Sequence, residues 1–501
     1  MYGTSARLSF NIESKRYGNV GNKMEKVVEL NQWQKEHVQT ACDLQALFDQ
    51  VQDAYLQNPF VPYQDRIDLL KKFKSQLLLA KKDLVEALSN DYGYRSSFDS
   101  LICDILPAVS HIDYTISQLN SWMKPNRRKV DLLLFPSRVK VEYQPLGVVG
   151  VIVPWNFPVV LSVAPIITAL AAGNRVMVKL SEYTPRTNQV IEGIFSHLSD
   201  HIVTVQGEGE IARYFSALPF NHLIFTGSTQ VGKLVAAAAA QNLTPVTLEL
   251  GGKSPAILAE DADVNAAVDA ILLGKSINAG QICVAPDYLL LPQHKEQEFI
   301  DRYLNRFNKL YVKKGRMHSS THIINNTHYQ RLQALLNDAQ TQGAKIHKIE
   351  KVESEGRQMP PYLLTQVTDD MRVMKEEIFG PILPVISYRS FDEVFDIINS
   401  RPRPLALYLM SNDKQKQQSI VRNTHSGGVV FNDTLVHVAV DDAPFGGIGE
   451  SGMGHYHGKE GFLTFSKAKT VMSTPTWLPR SAWLLRFRKI ALYVFGKLYI
   501  R

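Results

Sequence analysis

The 501-residue chain holds three cysteines, and they differ in what surrounds them. Cys42 and Cys103 sit in no motif, whereas Cys283 closes Gly-Gln-Ile-Cys, residues 280–283, where glycine and polar neighbours expose backbone. A lone cysteine usually packs as a small hydrophobe. In this setting it could instead act as a thiolate that adds to a carbonyl carbon. Glu249 lies in LELGGKSP (248–255), an acid inside an apolar strand end. Burial there would demand an ion pair, or would raise its pKa into the range of a general base. Asn156, in PWNFP (154–158), follows an apolar run, where an asparagine commonly serves a turn or cap. Gly227 and Ser228 end one predicted strand and open a helix, whose free N–H groups can meet a pyrophosphate. No GxGxxG fingerprint stands in the required strand–turn–helix setting; GEGEIARYF (207–215) lacks it. His455 and His457 supply only two metal ligands, so no metal site is expected.

These groups need elements to position them. From about Gln45 to Leu119 the pattern is helical, with Ile67, Leu70, Phe73 and Leu77 at spacings of three and four. Residues 130–145 read as two extended segments around Pro136. The run 148–155 is of the buried parallel-strand type, 159–172 suits a helix, and RVMVKL from Arg175 is another strand. HIVTVQG (201–207), HLIFTGS (222–228) leading into a helix, and TPVTLELGG (244–252) continue the alternation. The pattern predicts a doubly wound α/β sheet, with a second α/β unit from Cys283 to about Val430.

PWNFP (154–158), FTGSTQVG (225–232), LELGGKSP (248–255), GQICVAPD (280–287), EEIFGP (376–381) and PFGGIGESGMG (444–454) occur in the order found in aldehyde dehydrogenases. The chain from about Gln45 to Thr474 resembles that family throughout. APDY after Cys283 and GMGHYHG (452–458) lean towards its class 3 branch, and within it towards the bacterial coniferyl aldehyde dehydrogenases. The resemblance implies NAD(P)-dependent oxidation of an aldehyde to its carboxylic acid through a thiohemiacetal and thioester on Cys283. It assigns Glu249 as the base that activates the deacylating water, and the Asn156 amide, with the cysteine N–H, as an oxyanion hole. Lys179 and Glu182, in KLSE, match the family's adenosine-ribose residues; Leu180 stands where the family more often has proline. Trp155, Gly227, Ser228, Glu377 and Phe379 complete the implied cofactor site, the last two at the nicotinamide ribose and ring. A carboxylate at Glu182 favours NAD, with NADP tolerated. Coniferyl aldehyde or a similar aromatic aldehyde is the expected substrate, long-chain aliphatic aldehydes the alternative. A catalytically silent relative and a CoA-acylating variant are disfavoured by the intact Cys283, Glu249 and Asn156.

The implied architecture is a cofactor domain of residues 24–129 and 144–246, a catalytic domain of 247–430, and a β flap. The flap combines 130–143 with 463–474, and the resemblance implies a homodimer. The net charge of +7 is concentrated in the tail, where Arg480, Arg486, Arg488, Lys489, Lys497 and Arg501 stand without an acid. Such a balance describes a tail and not a nucleic-acid-binding body. Residues 476–501 read as a basic amphipathic helix that could lie at a membrane surface. Leu484, Phe487, Ala491, Val494 and Leu498 form its apolar face. Residues 1–23 read as a disordered leader, before a start at Met24, without a secretory h-region. With so few, scattered cysteines, a reduced, cytoplasmic protein is expected, membrane association through the tail aside.

Overall fold

The computed structural model describes residues 40–131 and 134–499. The leader 1–23, the start at Met24 and the terminal Arg501 lie outside the described residues. Helix Ala41–Gln57 opens on a capping box: Asp43 N donates to Thr40 Oγ1 at 3.3 Å, and Thr40 N donates to the Asp43 carboxylate at 3.0 Å. Helices Tyr63–Leu79, Lys81–Tyr92 and Leu106–Trp122 follow. Ile67, Leu70, Phe73 and Leu77 face inward as their spacing predicts. A π turn, Leu101–Ile105, interrupts the run before Leu106.

The first large sheet has six strands, in the order 452–453, 246–250, 222–227, 148–152, 175–179 and 202–205. All of its pairs are parallel except the edge pair of Gly452–Met453 with Leu248–Glu249. Strand Val148–Ile152 is buried at every position, as its unbroken apolar run predicts. The chain order steps outward on both sides of this strand, which puts a topological switch point beside it. In doubly wound sheets ligands bind outside the carboxyl ends of the strands at such a point. The ends here carry Trp155–Asn156, Lys179 and Gly227–Ser228.

The second large sheet has seven strands, in the order 345–348, 362–365, 382–388, 288–292, 255–258, 406–410 and 428–431. Only its 345–348 edge is antiparallel. The mixed architecture is the α/β class the alternation predicts, with a second, mostly parallel sheet beside the first. A third, antiparallel sheet joins 126–128, 138–145 and 466–473. Of the two extended segments expected around Pro136, the second is a strand, Arg138–Pro145, and the described residues of the first form none. Leu134–Pro136 is a turn, closed by Leu134 N and Phe135 N donating to Asp131 O at 2.9 and 3.1 Å.

The tail differs from the single helix expected. It breaks at Phe487 into Arg480–Arg486 and Arg488–Tyr499. Of the expected apolar face, Ala491 alone is buried, while Leu485, Leu492 and Tyr493 leave apolar surface on other sides exposed as well. No helix among the described residues is long and apolar enough to cross a membrane.

Candidate active site

The cysteine segment is shaped by backbone that glycine and asparagine tolerate best. Asn278, Ala279 and Gly280 are consecutively left-handed, with φ of 49°, 54° and 72°. A Cβ at Gly280 would stand 2.7 Å from Gly380 O, so this turn is pressed against the 376–381 loop. The turn delivers Cys283 half-buried, with its own N–H and that of Val284 in electrostatic reach of the sulfur. Burial, with Glu377 and Glu249 in electrostatic reach, pushes the thiol up to about 12 against the pull of those two N–H groups. Cys42 and Cys103 are also free thiols; Cys42 is exposed, and burial pushes Cys103 up to about 12.

Asn156 is held on both sides. Its Nδ2 donates to Gln281 O at 3.2 Å, which ties it to the cysteine segment. Its peptide oxygen accepts from Arg95 Nη1 at 2.8 Å, from the Tyr92 hydroxyl at 3.1 Å and from Asn278 Nδ2 at 3.1 Å. Arg95 is buried between the Tyr92 and Phe157 rings and pairs with Asp104 at 3.5 Å. Asp104 Oδ1 in turn accepts from Val160 N at 2.7 Å, which caps a helix whose N-cap residue, Val159, offers no polar side chain. Sequence reasoning missed this hub. Arg95 and Asp104 stand in no motif, and their partners are far along the chain.

Glu249 sits at the end of Val246–Leu250, paired laterally with Thr226 and Gly452. It is 3% exposed, and neither carboxylate oxygen has a hydrogen-bond partner. Burial alone raises its pKa well above the usual carboxylate range. The ion pair that would make it merely structural is therefore not formed, and the carboxylate is left as a strong, unspent acceptor. Gly452 makes this end compact, since a Cβ there would lie 2.4 Å from Leu248 O.

A second group gathers on the other side of the strand ends. Lys179 is buried and donates to Glu182 at 2.8 Å. Gly227 closes strand 222–227, and Ser228 caps the following helix, its hydroxyl accepting from Val231 N at 3.4 Å. Phe379, left-handed at φ 53°, packs edge-on to Trp155 with ring centroids 5.4 Å apart. The Glu377 carboxylate lies against Gly251, where a Cβ would stand 2.1 Å from Oε2, and Oε1 has no protein partner. Burial raises Glu377 to about 8. A helix N-terminus at a strand end, a cation–carboxylate pair beside it, and an unpartnered carboxylate next to an aromatic pair fit the phosphates, ribose and ring of a dinucleotide. His455 and His457 do not converge: His455 is exposed, whereas His457 is buried against Tyr456 and Phe445.

A parallel sheet with this switch point, a half-buried cysteine and an unpartnered buried glutamate supply groups that covalent carbonyl chemistry can use. A sequence model of the aldehyde dehydrogenase family matches residues 23–471, and the chain belongs to that family. It is 49% identical over 434 residues to the probable coniferyl aldehyde dehydrogenase of Pseudomonas aeruginosa, a match spanning 86% of this chain and 91% of that protein. An aldehyde dehydrogenase family 3 member of Arabidopsis thaliana is 36% identical over 414 residues, 82% of this chain and 85% of its own, in keeping with the class 3 branch. The solved substrate-bound Staphylococcus aureus AldH superposes with a TM-score of 0.81 at 36% identity, covering 90% of this chain and 98% of that one. The protein is an oxidoreductase that oxidises aldehydes with NAD(P).

Proposed function

We propose that the protein oxidises coniferyl aldehyde or a similar aromatic aldehyde to its carboxylic acid, with Cys283 as nucleophile. One observation carries the mechanism: Cys283 lies within electrostatic reach of the unpartnered Glu249 carboxylate, and the Asn156 amide is hydrogen-bonded to the cysteine segment at Gln281 O. The substrate class follows the similarity to the Pseudomonas aeruginosa relative. The Cys283 thiolate adds to the aldehyde carbon, and the carbonyl oxygen becomes an alkoxide that Asn156 Nδ2 and the Cys283 N–H stabilise. NAD(P)+, when bound, would supply the hydride acceptor for oxidation of this adduct to a thioester on Cys283. Glu249 then takes a proton from water, the hydroxide attacks the thioester carbon, and the C–S bond breaks to release the acid. Lys179 and Glu182 would hold the adenosine ribose, with Glu182 favouring NAD by repelling a 2′-phosphate. Trp155, Gly227, Ser228, Glu377 and Phe379 would hold the rest. The reading is tested by NAD(P)H formation across aromatic and aliphatic aldehydes, with Cys283→Ser expected to lose roughly 10³-fold or more in turnover. An undiminished Cys283→Ser variant, or no turnover of any aldehyde, overturns it.

The three-stranded sheet ends in a largely exposed strand, Ser466–Ser473, and we assign it to a homodimer interface, checked by the mass from light scattering. The tail, with Trp477, Trp483, Leu485 and Leu492 exposed among its basic residues, would touch an anionic membrane surface peripherally. Flotation with anionic liposomes of the full chain, but not of one cut after Pro475, is expected; equal flotation refutes the contact.

A further inference from the structure

Asp287 lies four residues beyond Cys283, at the entry to strand Tyr288–Pro292. Its backbone N donates to Ser254 O at 2.7 Å, which ties it to the residue leading into strand Pro255–Leu258. The side chain, 3% exposed, reaches across to another segment altogether. Oδ2 accepts from Ile378 N at 2.9 Å, and Oδ1 pairs with Lys253 Nζ. Lys253 also donates to Val373 O at 2.8 Å and to Glu376 O at 3.1 Å. From the opposite side Arg331 Nη1 donates to Glu377 O at 3.1 Å, and Nη2 donates to Ile378 O. Lys275, buried and lowered to about 8 chiefly by that burial, adds a third cation, after Lys253 and Arg331, within reach of Asp287 and Glu377.

The segment 376–379 has no helix or strand of its own. Its carbonyls at Glu376, Glu377 and Ile378, and its N–H at Ile378, are engaged by side chains. Buried backbone polar groups must be satisfied somewhere, so these side chains dictate where the loop lies. One of them, Asp287, is on the same short stretch as the nucleophile.

We propose that Asp287 is a positioning residue that locks the Glu377–Phe379 loop to the Cys283 segment, and so sets the separation between the carbon held on sulfur and the nicotinamide ring. The proposal rests on the reading above that Glu377 and Phe379 hold the nicotinamide ribose and ring. A misplacement of about 1 Å at a reacting centre can cost about a hundredfold in rate. Acyl transfer from an ester to Cys283 needs the thiol, the oxyanion donors and water, but no hydride acceptor. The two reactions therefore separate the link from the nucleophile itself.

The test uses Asp287→Asn in the full chain, with Asp287→Glu as the conservative control. Three quantities are measured: kcat and KM for NAD(P)+, Kd for NADH by titration calorimetry, and hydrolysis of 4-nitrophenyl acetate without cofactor. Expected for Asp287→Asn is a loss of about tenfold or more in dehydrogenase kcat/KM for the cofactor, with a weaker NADH Kd and ester hydrolysis within about twofold of native. Asp287→Glu should recover part of the loss. Equal falls in ester hydrolysis and dehydrogenation, or no change in either, overturn the proposal. Should Asp287→Asn fail to fold, Arg331→Met releases the same loop from its other side and must give the same one-sided loss. Glu377→Gln separates the two readings: unchanged cofactor affinity in that variant refutes the ribose assignment and not the link.

Discussion

Asp104 and Glu249 are both carboxylates removed from water, one paired with the arginine that holds the Asn156 carbonyl and one at the end of strand Val246–Leu250. Burial raises both, yet they are treated differently. Asp104 faces the Arg95 guanidinium and accepts from the backbone N–H of Val160, and it reaches only about 6. Glu249 has no partner on either oxygen and rises well above the ordinary range. Desolvation is common to the two; what differs is whether the protein compensates it. A compensated buried charge fixes geometry, here the seat of Asn156. An uncompensated one keeps its basicity for a reactant, at the expense of stability.

The largest effect that would test this contrast is the loss of base. Glu249→Gln removes the proton acceptor while keeping the shape, and turnover should fall by roughly 10²–10⁴. Burst formation of the first equivalent of NAD(P)H should survive, because the acyl thioester forms before the water is activated. A variant that turns over at the native rate would reduce Glu249 to an unexplained buried acid. Asn156→Ala is expected to cost roughly 10²–10³ in turnover, and to slow the burst as well, since its amide acts in the first addition.

The compensated pair should break the other way. Arg95→Met leaves Asp104 buried without its cation and frees the Asn156 carbonyl from one donor. Breaking a buried pair from one side typically costs about 3–5 kcal/mol. The sign of its pH dependence follows from the raised carboxylate. Asp104 can stay protonated at low pH, so the loss is smaller near pH 5 and grows as pH rises through the folded pKa. Chemical denaturation at pH 5 and pH 8 measures both. A penalty that shrinks towards pH 8 would contradict the account.

Strand 148–152 was legible because burial of a parallel strand writes itself as an unbroken apolar run, and 175–179 and 246–250 lie within the segments read as strands from the alternation. The proposed site residues stood out through motif order, since Asn156, Glu249 and Cys283 each sit inside a distinctive string. Their supports did not. Asp99 reaches Asn278 N at 3.0 Å, Arg95 reaches Asn156 O, and Asp287 reaches Ile378 N, across separations that local spacing does not encode. Lys253 and Asp287 even lay within quoted motifs, GGKSP and APDY, with nothing in the strings to say what they touch. The π turn Leu101–Ile105 escaped because its sequence is ordinary for a helix. The small sheet was half legible: 466–473 pairs with 138–145 as an extended segment, whereas 134–136 is a turn, because the bonds to Asp131 O fold it back.

The smallest effect bears most directly on the contrast, because it runs opposite to intuition. A carboxylate whose folded pKa is raised stabilises the fold only while protonated. Native stability should therefore decline as pH rises from the unfolded value near 4.3 through the raised folded pKa. Glu249→Gln has no such titration. It should match the native protein near pH 4.5 and exceed it at pH 8.5 by about 1–3 kcal/mol, the scale of an unsatisfied buried group. Denaturation midpoints at the two pH values supply the comparison. If Glu249→Gln is instead less stable at pH 8.5, the carboxylate has a partner in solution, and the division between compensated and uncompensated burial fails at the residue on which it was drawn.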